Sequence, residues 1–313
     1  YCQTRRAESP FFTQDTLKSV VHWHDTFALK TIMTIPREKS YELITHQPQG
    51  TTHATPLLFI HGAFTAAWCW DEHFLPFFAK AGYAAHALSL SGHGTSPGRD
   101  RLDTLSIDDY VNDVAIAVAS LPAPPVLIGH SMGGFVVQKY LEKHTAPAAL
   151  LMCSVPPQGL LSAAVGLLFS RPEIMKDLNT MLSGGQVALD SLRDALFAQP
   201  VSVDQLEHFY RKAQPESHRA LWDMSLFCLP QTALVRRTPL LVQGAELDHL
   251  IAASLVEMTA RTYGVEAQIF PGMGHGLMLE HDWEKPAQGL LDWLQHQQLE
   301  KETKKEIKHD HHV

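Results

Sequence analysis

Val126-Leu127-Ile128-Gly129-His130-Ser131-Met132-Gly133-Gly134-Phe135 reads as a short buried strand, a very tight turn and the start of a helix. Pro125 to Ile128 is apolar throughout, as a strand covered on both faces would be. From Phe135 to Lys143 the apolar positions recur with helical spacing among good helix formers. Between them, Gly129-His130-Ser131-Met132-Gly133 fits the pattern G-x-S-x-G in the strand–turn–helix context that the pattern requires. A chain reversing this sharply presses its backbone against neighbouring chain at both glycines, where a Cβ would clash. The serine at the apex is then forced into a strained conformation that pushes its Oγ clear of the sheet. The first turn of the helix aims unpaired N–H groups at the same spot, which suits a developing negative charge.

Working outward, apolar strand runs alternate with helical segments. Leu57–Ile60 is a buried strand run, followed by a helix from about Asp71 to Ala81. Tyr83–Leu90 is the next strand, and Ser91 to Gly98 is a loop by composition. Ser106 caps a helix reaching about Ser120, with Asp108 and Asp109 in its first turn. After the Ser131 turn and its helix, Ala148–Cys153 is a strand. The rhythm then changes. Pro156 to about Thr232 carries helical stretches at Leu160–Phe169, Arg171–Leu182, Gln186–Ala198, Val203–Ala213 and His218–Phe227, with no buried strand. Alternation resumes with Pro239–Gln243, Ile251–Tyr263, Glu266–Phe270 and Asp282–Gln298. Strands apolar on both faces, alternating with helices, specify an α/β fold with a mostly parallel central sheet.

The expected organisation is an arm over residues 1–18, a core formed by 19–155 and 233–299, a helical insertion over 156–232, and a charged tail over 300–313. Val20–Trp23 and Phe27–Ile35 alternate apolar with polar residues as a hairpin would, and Tyr41–Thr45 suits an edge strand. The tail is a frayed helix or unstructured, and its His309, His311 and His312 bind metal at most adventitiously; no metal site is expected.

The chain's 313 residues suffice for one large domain with an insertion. Its net charge of −8 and the lack of a basic patch interleaved with aromatics disfavour nucleic acid and anionic membrane surfaces as partners. No apolar run reaches spanning length, so stable membrane insertion is not expected. Cys2, Cys69, Cys153 and Cys228 are too widely spaced for a disulfide framework, which favours a reducing, cytoplasmic compartment. The chain opens on Tyr1 rather than Met, which leaves an upstream segment open. Oligomeric state is not legible.

An active serine needs a base, a group that orients the base, and donors for the oxyanion. The base is expected to be His275, in the Gly-rich loop Pro271-Gly272-Met273-Gly274-His275-Gly276 directly after the last strand. Of the other histidines, His61 and His130 shape the site, while His93 and His249 sit in loops within possible reach of substrate. The orienting acid is expected to be Asp248, just past a strand, with Glu246 as the alternative and a helix-capping role as the structural one. The oxyanion donors are expected to be the N–H of Met132 and one from His61-Gly62-Ala63, most directly Ala63.

The chain resembles the α/β-hydrolase family over about Leu57–Met152 and Pro239–Gln298. The residues that carry the resemblance are His61-Gly62-Ala63-Phe64, Gly92-His93-Gly94-Thr95-Ser96, Gly129 through Gly134, Gly244 through Asp248, and Gly274-His275. The resemblance implies nucleophile, acid and base roles for Ser131, Asp248 and His275, no metal or organic cofactor, and a cap in the place of 156–232. It is nearest to single-cap esterase and lipase-like members. The oxyanion loop with Ala66-Ala67-Trp68-Cys69-Trp70 also resembles that of small-molecule lyases and plant-type esterases of the fold. Members with an aspartate nucleophile, such as dehalogenases, are disfavoured by Ser131.

The expected substrate is a small apolar acyl or aryl ester. Phe64, Trp68, His130 and Trp222 are candidate substrate contacts, with Leu160, Leu161, Phe169, Met175, Phe209, Met224 and Phe227 as candidate pocket lining. A lyase, thioesterase, carbon–carbon bond hydrolase or cofactor-free oxygenase using the same triad, or a ligand sensor, are the alternatives.

Overall fold

The computed structural model describes residues 40–50, 52–161, 163–164, 171–182, 185 and 187–310. The expected N-terminal arm, the hairpin at Val20–Trp23 and Phe27–Ile35, Phe169 and the last histidines lie outside these residues.

Seven strands form one sheet. β1 (Leu43–His46) and β2 (Leu57–Ile60) are followed by α1 (Trp68–Asp71), α2 (Phe74–Lys80) and β3 (Ala85–Leu88). A 3₁₀ turn (Arg99–Thr104) leads to α3 (Ile107–Ser120), β4 (Val126–His130), α4 (Met132–Tyr140) and β5 (Ala149–Met152). Between β5 and β6 lie α5 (Pro172–Leu182), α6 (Leu189–Leu196), α7 (Val203–Lys212), α8 (His218–Trp222), a π-helical turn (Asp223–Phe227) and α9 (Thr232–Val235). β6 (Leu240–Ala245), α10 (Ala253–Tyr263), β7 (Ala267–Phe270) and α11 (Glu284–Asp310) complete the chain. The strand order is β1-β3-β2-β4-β5-β6-β7, with β1 antiparallel at the edge and the rest parallel.

The unbroken apolar runs are explained by burial on both faces. Leu58, Ile60, Leu127, Leu151 and Val242 pack toward α3, α4 and α10, with Tyr110, Phe135 and Tyr263. Their strand neighbours Leu57, Phe59, Val126, Ile128, Leu150 and Met152 pack on the other face toward α1, α2 and α11, with Trp70, Phe74 and Leu290. This is the two-residue period of a strand, apolar in both phases. α3 begins with a capping box, in which Ser106 Oγ accepts from Asp109 N and Asp109 Oδ2 accepts from Ser106 N.

The register fixes where the loops emerge. Ile60, Gly129, Leu151 and Val242 stand side by side across β2, β4, β5 and β6. Parallel strands in register end together, so the loops after all four open on one rim of the sheet.

Three expectations change in detail. The helix over Asp71–Ala81 is two helices broken at Glu72–His73. His73 leaves helical geometry at φ −141° and stacks on Trp283, while Glu72 turns outward to accept from Lys212 Nζ at 2.7 Å and His208 Nε2 at 2.9 Å. The strand over Tyr83–Leu90 stops at Leu88, because Leu90 N–H leaves the ladder for His61 Nε2. The last helix runs past Gln298 to Asp310, through much of the charged tail.

Between β5 and β6 no strand occurs among the described residues. Leu192, Phe197, Leu206 and Phe209 form a small apolar cluster of their own. Trp68 joins it from α1, stacking on Phe209 at 5.8 Å, with Lys212 Nζ over the Trp68 ring at 5.1 Å from its centroid. Cys69, Cys153 and Cys228 are free thiols. Among the described residues no helix is long and apolar enough to cross a membrane.

Candidate active site

The turn between β4 and α4 is as tight as its sequence demands. Ser131 has φ 51° and ψ −116°, a region that L-residues avoid. A Cβ on Gly129 would run into the backbone of Gly133, and one on Gly133 into the carbonyls of Ile60 and His61. Ser131 is pinned by its own main chain, whose N–H donates to Met152 O at 3.0 Å and whose carbonyl accepts from Val155 N at 3.1 Å. Met132 opens α4, so its N–H has no carbonyl four residues back within the helix.

The loops after β6 and β7 bring Asp248 and His275 together. Asp248 Oδ2 accepts from His275 Nδ1 at 2.7 Å, and both side chains are buried. Asp248 Oδ1 accepts from Leu250 N and Ile251 N, each at 2.8 Å. The carboxylate therefore caps a turn with one oxygen and orients the imidazole with the other. Glu246 instead accepts from Gly272 N at 2.8 Å and is exposed.

The His275 loop is itself tied on two sides. His130 Nε2–H donates to the His275 carbonyl at 2.9 Å, which links it to the Ser131 turn. Burial, with His275 close by, pushes His130 well below the ordinary histidine range, so it is a neutral strut. On the other side, Glu280 Oε1 accepts from Gly274 N and Ala198 N, both at 2.7 Å, and Gly276 N donates to Leu196 O.

The loop after β2 lies directly against Ser131. A Cβ on Gly62 would stand 3.1 Å from Ser131 Cβ and 2.8 Å from His130 Nδ1. His61 Nε2 accepts from Leu90 N at 3.0 Å, so Nδ1 carries the proton and donates to Gly62 O at 2.8 Å. Thr65 Oγ1–H donates to the same carbonyl. Ala63 and Phe64 follow, with Phe64 at φ 63°. Burial, and then the neighbouring His93, push His61 down to about 3. The unfolded chain takes up a proton below about 6.5 and the folded chain does not, so this stability is lost as pH falls toward 3. Between pH 6.5 and 4.5 the loss from His61 alone is about 2–3 kcal/mol. Thermal unfolding across that window should show it, with a shallower slope in His61→Asn.

Other expected positions stand differently. His93 does not reach a substrate position: it is fully buried, 3.1 Å from Glu216 Oε2. His249 bonds Arg171. Trp222 and Phe227 are 61% and 73% exposed, because their helical stretch turns Ala220 and Met224 into the core and leaves the opposite face outward. Trp222 therefore stands on the outward face of its helix. Leu160 packs on the core, Leu161 is exposed, and Trp68 and Phe209 stack on each other.

Three residues near the site escape sequence reasoning. Cys153, just past β5 at φ 43°, has its thiol beside Asp248. Its sulfur and the donor atoms of Asp248 and His275 lie within 4.8 Å of one another. Burial and the Asp248 carboxylate push that thiol well above its ordinary range, so it stays protonated. Its place at a strand end on the common rim was the available signal. Glu280 and Glu216 carry no local signal, since their partners are far away in sequence.

The family model described as the alpha/beta hydrolase family matches residues 57–288. A monoacylglycerol lipase of Mycolicibacterium smegmatis is 25% identical over 233 residues, which cover 71% of this chain and 82% of the lipase. Protein phosphatase methylesterase 1 of Bos taurus is 26% identical over 174 residues, covering 53% of this chain and 45% of that protein. The solved esterase from Exiguobacterium antarcticum superposes with a TM-score of 0.64 at 16% identity, covering 82% of this chain and 95% of the esterase. The matched stretch runs from β2 into α11 and takes in the rim where Ser131, Asp248 and His275 emerge, and the chain belongs to the alpha/beta hydrolase family.

Proposed function

We propose that this chain is a serine hydrolase of small carboxylic esters with apolar acyl or aryl groups, working through an acyl-enzyme. The observation that carries the reading is the buried 2.7 Å pair of His275 and Asp248, on the same rim as a serine held at φ 51°. Asp248 accepts from Nδ1, which leaves Nε2 of His275 free of a proton to receive one. His275 takes the Ser131 proton as Oγ attacks the ester carbonyl carbon. The N–H groups of Met132 and Ala63 hold the oxyanion. His275 then protonates the leaving alcohol, and in the second half activates the water that releases the acid. The nucleophile, base and donors all belong to the chain, so the reaction calls on no cofactor. Residues 156–232 act as a cap, with Phe64, Trp68, His130 and Trp222 as the substrate contacts. The lipase and esterases among its relatives support an ester substrate.

The test is a panel of nitrophenyl esters from acetate to palmitate, run with a fluorophosphonate label located by mass spectrometry. A burst of nitrophenol and phosphonylation at Ser131 are expected, and the chain-length profile sizes the acyl pocket. A folded protein inert toward every ester and toward the label would sink the reading and move lyase, oxygenase or sensor chemistry ahead.

A further inference from the structure

The cap holds the loop that carries Ala63. Gln214 N donates to Phe64 O at 3.0 Å, and Gln214 Nε2 donates to Thr65 O at 3.3 Å. Phe64 N–H points to Glu216 Oε2 at 3.4 Å. Both polar groups of one strained residue are thus taken by two residues of the cap, Gln214 and Glu216. Phe64 directly follows Ala63, so with the Ala63–Phe64 peptide held, only the φ and ψ of Ala63 lie between this grip and the Ala63 N–H.

Glu216 is the fixed end of this grip. It is fully buried, and its Oε1 accepts from Tyr110 OH and Ser217 N, both at 2.7 Å. Its Oε2 faces His93 Nε2 at 3.1 Å, an ion pair bent away from a straight hydrogen bond. His93 Nδ1–H is already given to Ser91 O at 3.0 Å. Burial opposes charge on both partners, and their mutual attraction overcomes it, holding Glu216 below the carboxylate range and His93 above the histidine range. His61, Tyr110 and Arg99 are the other titratable or charged groups facing His93.

We infer that Glu216, anchored on His93 and Tyr110, is a positioning residue for the oxyanion loop, so that this loop is set for catalysis only when the cap segment Gln214–Ser217 is seated. The inference rests on the function proposed above. It couples cap position to kcat rather than to substrate affinity.

Glu216→Gln isolates the claim. The amide oxygen must take the Oε1 place, where two donors converge, so the NH₂ faces His93 Nε2 and Phe64 N–H. Neutral His93 can accept from that NH₂, which keeps the interior satisfied. Phe64 N–H meets a donor and is released. Loss of a full oxyanion donor costs roughly 100- to 1000-fold, and a displaced one should cost about 10- to 100-fold in kcat, with KM within about threefold. The rate of Ser131 phosphonylation should fall in parallel.

Asp223→Asn is the control. Asp223 is a second buried cap carboxylate, and it accepts from Ile107 N at 3.2 Å and pairs with Arg219, holding α3 rather than the oxyanion loop. It should lower the melting temperature and leave kcat within about threefold. A Glu216→Gln enzyme with unchanged kcat overturns the inference, as does a matching kcat loss in Asp223→Asn, which would mark general loosening. In both cases wild-type turnover dependent on Ser131 shows that the hydrolase reading stands. An inert wild type fails that reading, and the inference with it.

Discussion

Ser131→Ala is expected to lower kcat on nitrophenyl esters by about 10⁶-fold, and Asp248→Asn by about 10⁴-fold. The two losses have different origins. Without Oγ there is no acyl-enzyme, so the burst of nitrophenol disappears and only water attack assisted by the oxyanion donors remains. Asp248→Asn keeps the nucleophile and the shape. Its carbonyl oxygen can still accept from Leu250 N and Ile251 N, both at 2.8 Å, so the turn stays capped. Its NH₂ then confronts His275 Nδ1, which must give up its proton and become the acceptor. The proton moves to Nε2, and the imidazole can no longer receive one from Ser131. Stopped-flow burst kinetics separate the variants: no burst for Ser131→Ala, a slow full burst for Asp248→Asn. An Asp248→Asn enzyme within tenfold of wild type would remove Asp248 from the mechanism.

Gly133→Ala should be strongly destabilising. The added carbon would fall on the Ile60 and His61 carbonyls, which belong to the end of a central strand and cannot turn aside as a side chain can. The elbow or β2 must shift, at a cost of at least about 3 kcal/mol. For a chain of this size that lowers the melting temperature by roughly 6–12 °C. Gly272→Ala is the comparison. It has φ 66° but open space around it, so only the backbone penalty of about 1–2 kcal/mol applies. Differential scanning calorimetry of both variants measures the contrast; equal shifts would mean that the packing of Gly133 on β2 is not what constrains the elbow.

The parallel sheet and its rim were legible because they rest on local signals. Val126–Ile128 is apolar in both strand phases, and the Gly129 and Gly133 spacing admits few turns. His275 and Asp248 were legible because each directly follows a strand that the alternation had already placed. What the sequence hides depends on pairs brought together from afar. Glu216 meets Tyr110 across more than a hundred residues, and nothing around Pro215-Glu216-Ser217 distinguishes it from a solvated loop acid. The burial of His93 was hidden for the same reason: a Gly-rich loop suggests access, and only the approach of Glu216 buries the ring. The outward face of Trp222 was not legible either, because an aromatic in an apolar helix suggests a lining residue, whereas the phase of that helix is set by Ala220 and Met224.

Phe64, Ser131 and Cys153 are the non-glycine residues with positive φ among those described, and they stand just past β2, β4 and β5. All three lie on the rim where the strands end together. Each is held against its own preference, by an energy of order 1–3 kcal/mol, through bonds to neighbouring loops. The amides of all three are bonded within the fold, to Glu216, Met152 and Gln243, so their exchange should be slow in spite of the strain. A laboratory lineage selected for new substrates would accumulate its changes on this rim, and one selected for heat tolerance at the opposite ends of the strands.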